Sequence, residues 1–359
     1  MINSIPFNVV PRHWLRLYTD AALLQSLGAV VLESKKEVWL ESIRKLDMAI
    51  IVAGAVGRKE WILATIRDIQ AQFPSPDDDD DRPLKKARLY VEPSLLYAPN
   101  PIPVLHHPPS IDTYLSTYLK HPFILRGHLN SSSNPPWPAC NRWCSTKYLL
   151  EKVGRGRVVP VEVGEAYDDE SWTQKIIPFT EFLVRAGFDA QDLPESSPLY
   201  LAQYALFDQF PELEKDICYP DYVWSSPPPM ESYSPPDDII VNVWVGSGNE
   251  EIVSPAHTVI GRKRVWVAPP SCRPHMHAHG GDKDLADQYM TNTSKVPILR
   301  PTNDFKTIQS DYPEFFRHVW PVSLEAVLEP GDLMVMPPGW WHAMRGEGSG
   351  PAWSISMWY

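Results

Sequence analysis

Apolar residues recur at helical spacing in the N-terminal part of the chain. Trp39, Ile43, Leu46 and Ile50 stand at i, i+4, i+7 and i+11, and Ile62, Ile66, Ile69 and Phe73 repeat that spacing. One apolar stripe per helix is what an amphipathic helix needs, so residues 20–73 are expected to be helical. The pattern ends at Pro74. Ser75, Pro76 and the aspartates Asp77 to Asp81 follow, a run that repels itself and stays solvated. Arg82, Lys85, Lys86 and Arg88 come next, readable as an exposed linker end or as a nuclear address. From Tyr90 onward the pattern changes to short apolar runs between turns. Pro122–Leu125, Val158–Val163, Ile239–Val245, Arg264–Val267 and Leu333–Met336 read as strands, with helices over 146–153 and 177–186. No repeat of solenoid or propeller period is present.

This order predicts a helical N-terminal region at 1–75, an acidic and basic linker at 76–89 and a barrel domain at 90–359. The fold class is mainly β with helices (α+β). The architecture is a double-stranded β-helix, the jelly-roll of cupin-like barrels, preceded by a small helical unit.

Composition narrows the picture. Of the 359 residues, 38 are proline, about twice ordinary usage, which excludes a helical bundle and favours turns between strands. Lys and Arg total 33 against 44 Asp and Glu, a formal charge of −11. That sign opposes direct binding of nucleic acid and suits a basic protein segment. Four cysteines, Cys140, Cys144, Cys218 and Cys272, do not make a disulfide framework in a chain of this size, so a reducing compartment is expected. The apolar run Met48–Val56 is far short of a membrane span. The expectation is an intracellular protein, in the nucleus, the cytoplasm or both, with no membrane partner.

Among 11 histidines, two follow strand-like runs. His257 lies in Ser254-Pro255-Ala256-His257-Thr258, and His342 closes Pro337-Pro338-Gly339-Trp340-Trp341-His342. Two imidazoles from distant strands of one barrel can converge on a metal, and non-haem Fe(II) oxygenases use two histidines and a carboxylate. On spacing alone, a histidine at a strand end is more often a satisfied polar group.

Several stretches together resemble the jumonji-C (JmjC) family of Fe(II)- and 2-oxoglutarate-dependent oxygenases, in particular the lysine demethylase 8 group. They are Val159–Gly164, Tyr200–Gln203 with Leu206–Gln209, Pro220–Tyr222, Asn242–Gly246, Ser254–His257, Gly261–Lys263 and Pro337–His342. The resemblance implies Fe(II), 2-oxoglutarate as cosubstrate and O2, and no catalytic residue beyond the metal centre. His257 and His342 would bind the metal. Lys263, with the hydroxyls of Tyr200 and Ser254, would hold the cosubstrate's distal carboxylate. Glu162, Gln203, Trp244 and Tyr167 would line the pocket for the prime substrate. An acid, an amide and an aromatic wall suit a guanidinium, so the implied reaction is hydroxylation or demethylation of an arginine, or a lysine, in a protein such as a histone or a ribosomal or chromatin protein. Taken alone, Lys263 reads as a solvated strand-end lysine and Glu162 as an ordinary strand carboxylate.

The chain departs from the family at one place. The family pattern is His-x-Asp/Glu, and two residues after His257 stands Val259. Strand alternation would put Val259 on the side of His257. Only three residues separate His257 from Gly261, fewer than in the family, so the strand carrying Lys263 is expected to lose its first half. A non-catalytic barrel that binds basic protein segments is the competing reading.

Overall fold

The computed structural model describes residues 10–72, 98–130, 135–164, 173–188, 199–225, 233–247, 251–252, 257–279, 292–299, 305–348 and 350–359. Three long helices come first, α1 (Arg12–Leu32), α2 (Lys36–Ala53) and α3 (Lys59–Gln70). The strands, numbered along the chain, begin with β1 (Asn100–Pro101), β2 (Val104–Leu105), β3 (Phe123–Leu125), β4 (Val158–Val163), β5 (Thr173–Pro178), β6 (Leu199–Tyr204) and β7 (Ile240–Ser247). They continue with β8 (Glu251–Ile252), β9 (His257–Ile260), β10 (Arg262–Ala268), β11 (Leu324–Leu328), β12 (Leu333–Val335), β13 (Trp341–Glu347) and β14 (Pro351–Trp358). The chain divides into two compact units, Met1–Arg88 with Asn141–Ile217, and Leu89–Cys140 with Cys218–Tyr359.

In the first unit the helical stripes do what their spacing predicts. Ile43, Leu46 and Ile50 of α2 and Ile62, Ile66 and Ile69 of α3 are buried in one core; Phe73 and the linker 76–89 lie outside the described residues. By length and composition α1 is also long and apolar enough to cross a membrane, yet Leu15, Ala22 and Leu23 on it are buried and its Ser26 Oγ donates to the Ser42 carbonyl of α2 at 3.2 Å.

In the same unit β4 pairs antiparallel with β5 and β6, and a buried ion pair fixes its start to α2. The Asp47 carboxylate is fully buried and accepts from Arg157 Nε at 3.0 Å, from Arg157 Nη2 at 2.8 Å and from the Val158 N–H at 2.9 Å. The guanidinium also donates to the Gln209 carbonyl at 2.8 Å and lies 4.6 Å over the Phe210 ring. Gln209 returns a bond from Nε2 to the Val158 carbonyl, 2.7 Å. A helix expected over 177–186 starts only at Phe179. Ile177 stays extended and pairs with Val159, because the Pro178 ring disfavours helical geometry in the residue before it.

The second unit holds the barrel. One sheet has the order β1-β11-β10-β13-β8, and facing strands run β2-β3-β12-β9-β14-β7. Alternation divides β10 cleanly. Val265 and Val267 join Met344 of β13 and Met334 of β12 in one core. Trp266 and Ala268 point the other way, into a second core with Cys272, Met276, Phe315 and Val319. Despite the short interval after His257, β10 runs seven residues and pairs with β13 along its whole length, Arg262↔Glu347 to Ala268↔Trp341.

Gly261 alone separates β9 from β10, and the two strands belong to different sheets. Its φ is +75°, and a Cβ there would come within 2.7 Å of the Pro351 carbonyl oxygen and 2.9 Å of Ala352 Cα. Only glycine fits this corner.

Candidate active site

Lys263 and His342 share the inner face of the first sheet. On β10, Lys263, Val265 and Val267 alternate inward, and Val267 is the register partner of His342 on β13. The two site residues are therefore four positions apart in register, about 13 Å along the strands. Lys263 is only 2% exposed, and its Nζ donates across the barrel to Ser354 Oγ of β14 at 2.6 Å. A buried ammonium is held at this depth by hydrogen bonds and favours an anion beside it.

Trp244 on β7 sits opposite Ser354 in the β7–β14 ladder. Its indole N–H donates to Ser356 Oγ at 3.1 Å, and both residues are buried. Ser354 and Ser356, two positions apart, thus form a hydroxyl rail that receives Lys263 from one side and Trp244 from the other. Sequence reasoning missed them. The signal was the alternation Trp353-Ser354-Ile355-Ser356-Met357, a half-polar strand amid apolar ones.

His342 opens onto a cavity of about 250 Å³ that Ser356, Met334, Met336, Trp340 and Tyr359 also line. Solvent-sized space reaches the ring through the cavity, while surrounding protein desolvates it. That burial pulls its pKa down to about 4, with a partial offset from the hydrogen bond to the Trp340 carbonyl. At neutral pH the imidazole is therefore uncharged. A carbonyl can only accept, so Nδ1 carries the proton in the 3.3 Å contact to Trp340 O, and the Nε2 lone pair is left for a ligand. The turn before it depends on Gly339, at φ +77°, where a Cβ would come 3.3 Å from Pro270 Cγ.

His257 is the register partner of Leu333 on β12 and Ile355 on β14; its side chain, together with Ser254 and Tyr167, lies outside the described residues. Val259 is fully buried. The β9–β14 register shifts between Ser354↔Thr258 and Trp353↔Ile260, which leaves Val259 as the extra residue of a bulge. Simple alternation from His257 to Val259 therefore does not carry through, since a bulge interrupts the period of two. An apolar side chain in the core supplies no oxygen ligand. Among the described residues, no cluster of three metal-capable groups includes His342. Among the described residues, the donors thus fit a carboxylate anchor at Lys263 and one imidazole ligand at His342.

In the first unit, Glu162 of β4 lies opposite Tyr200 of β6 and Gln174 of β5. Glu162 is half-buried and Tyr200 buried. Gln203, near the end of β6, is exposed, and its φ of +45° lies in the left-handed region that an L side chain adopts at a cost of about 1 kcal/mol or more.

Comparison with known proteins gives this barrel its lineage. The model of the cupin-like domain matches residues 116–359. The chain belongs to the cupin-like domain family. It is 29% identical to "Lysine-specific demethylase 8" of Danio rerio over 98% of this chain and 82% of that protein. It is 31% identical to "Jumonji C domain-containing protein 5" of Drosophila melanogaster over 62% of this chain, and 30% identical to "Lysine-specific demethylase 8" of Xenopus tropicalis over 72%. The matches span about half the length of the fly and frog proteins, 52% of each. Within the cupin-like family, these relatives bear out the jumonji-C resemblance and the α+β jelly-roll expected from the motifs.

Proposed function

We propose that this chain is a jumonji-C protein oxygenase scaffold that binds 2-oxoglutarate at Lys263, and that its turnover is impaired by the absence of a metal carboxylate. The observation that carries this reading is the buried Lys263 ammonium, hydrogen-bonded to Ser354 on the inner face that also bears His342. A dicarboxylate entering the barrel would meet that ammonium with one end and leave its other end toward His342. Tyr200 and Ser254 are the proposed hydroxyl partners. With Fe(II) and O2, this cosubstrate supplies the oxidising power that family members use for hydroxylation or demethylation. Val259 stands where the family pattern has its carboxylate, and the donors among the described residues do not make up a full iron site, so no catalytic step is assigned to it.

The substrate proposed is an arginine, or a lysine, in a basic protein segment of histone, ribosomal or chromatin type, met in the nucleus or cytoplasm. Glu162, Gln203, Trp244 and Tyr167 would contact it, and the charge of −11 favours its approach. Buried Val259 favours a second reading, a barrel that binds such segments without turning them over.

The test of the first reading is a thermal shift with 2-oxoglutarate on the full chain and on Lys263→Met. The parent should be stabilised and the variant should lose that response. An equal response in both would overturn the assignment of Lys263. Decarboxylation of 2-oxoglutarate with added Fe(II) should be at background; turnover matching an intact relative would show that the acid is not needed. The binding reading expects an arginine-containing basic peptide to bind in a Glu162-dependent way, and equal binding by Glu162→Ala would remove that pocket.

A further inference from the structure

A second cluster of metal-capable side chains lies in the barrel unit, apart from the cavity at His342. His275 ends the turn Pro270–His275, and Glu314 and His318 stand one turn apart on the helix Pro313–His318. One ligand atom of each lies within 4.8 Å of the other two. His318 Nε2 and Glu314 Oε2 are 3.2 Å apart. Two ligands at about 2.0–2.1 Å from a tetrahedral zinc ion stand roughly 3.3 Å from each other, so this pair already has the edge of such a site. The His275 and His318 rings are stacked, with centroids 4.1 Å apart and planes at 20°.

Both segments that carry the cluster are fastened to one core. Cys272 and Met276 flank His275, Phe315 and Val319 flank Glu314 and His318, and all four are buried in the same apolar group. The Met276 carbonyl accepts from Ser294 Oγ, and Lys295 N donates to the His277 carbonyl at 3.0 Å, which holds the chain just after His275. The backbone is therefore fixed while the ligand side chains reach the surface, His318 and Glu314 with 43% and 46% of their side chains exposed. Arg317 occupies the other carboxylate oxygen, Oε1, at 2.7 Å and leaves Oε2 to the cluster.

We propose that His275, Glu314 and His318 form a binding site for a borderline divalent transition metal, Zn²⁺ foremost, with water completing the coordination. Two imidazoles and one carboxylate select this class over Mg²⁺ or Ca²⁺, which take oxygen ligands. The exposed His318 ring turns out of its stack on His275 so that both in-plane lone pairs meet one ion. The ion ties the turn that follows β10 to the helix that precedes β11.

The test is calorimetric titration of the full chain with Zn²⁺, alongside His275→Ala, Glu314→Gln and His318→Asn. The central barrel and the cysteines can take zinc as well, so the readout is stoichiometry: each variant should lose one equivalent, or bind that equivalent at least tenfold more weakly, with an unchanged circular dichroism spectrum. Co²⁺ in place of Zn²⁺ should give a visible absorption of which the same variants lose the share of one equivalent. Unchanged stoichiometry and affinity in His318→Asn and Glu314→Gln, both surface changes that leave the fold alone, would overturn the site. So would an equal response of the parent to Mg²⁺.

Discussion

Replacing Asp47 by alanine removes the acceptor for three short hydrogen bonds at the start of β4. Arg157 Nε and Nη2 lose their carboxylate, and the Val158 N–H loses its partner. What remains for the guanidinium is the Gln209 carbonyl, a longer bond from Nη1 to the Val153 carbonyl at 3.5 Å and the Phe210 face. Both members of the pair are buried, Asp47 at 0% and Arg157 at 6% exposure, so water does not replace the lost partner. Breaking a buried ion pair by removing one member costs about 3–5 kcal/mol, and an orphaned backbone N–H belongs to the same loss rather than adding fully to it. The expected destabilisation is about 4 kcal/mol, read from the urea midpoint of the first unit. Asp47→Asn keeps an acceptor and should fall between parent and alanine. Asp47→Leu with Arg157→Met removes both charges together and should recover most of the loss. Because β4 also carries Glu162, deuterium uptake over 158–163 should rise in Asp47→Ala. A loss under about 1 kcal/mol, or a double variant as unstable as the single one, would refute the claim that the ion pair holds this strand.

Gly261→Ala should destabilise by more than about 2 kcal/mol, since it adds both a left-handed φ cost and a Cβ 2.7 Å from a backbone oxygen; a thermal melt within a degree of the parent would contradict the corner described. In the metal-free protein, His342 titrates near 4 when folded and near 6.5 when unfolded. The unfolded chain therefore binds more protons between those values, and stability falls as pH drops through that window, by up to about 3 kcal/mol. His342→Gln should flatten that part of the pH profile, and an unchanged profile would sink the assignment.

The sequence carried much of this structure because period is local. The stripe Ile43, Leu46, Ile50 and the runs at 158–163 and 333–335 fold as read. The strand β14 was overlooked because its serines break an apolar run, although those serines hold Lys263 and Trp244. Lys263 alone read as a surface lysine, since burial is set by a strand some ninety residues away, at Ser354. The bulge at Val259 is a matter of pairing between β9 and β14, and nothing within β9 announces it. The cluster of His275 with Glu314 and His318 was illegible for the same reason, its members being close only once the turn and helix share a core.

The Asp47–Arg157 pair also sets a clock on synthesis. Its members are 110 residues apart, and at about 5–20 residues per second the second emerges roughly 5–20 seconds after the first. During that interval α1 to α3 can close over Ile43, Leu46 and Ile62, while the carboxylate of Asp47 must remain in water until Arg157 and β4 arrive. Residues 89–140, which belong to the other unit, pass through the exit tunnel in between. A chain cut at the acidic linker would keep the apolar core of α1 to α3 and leave the Asp47 carboxylate without Arg157.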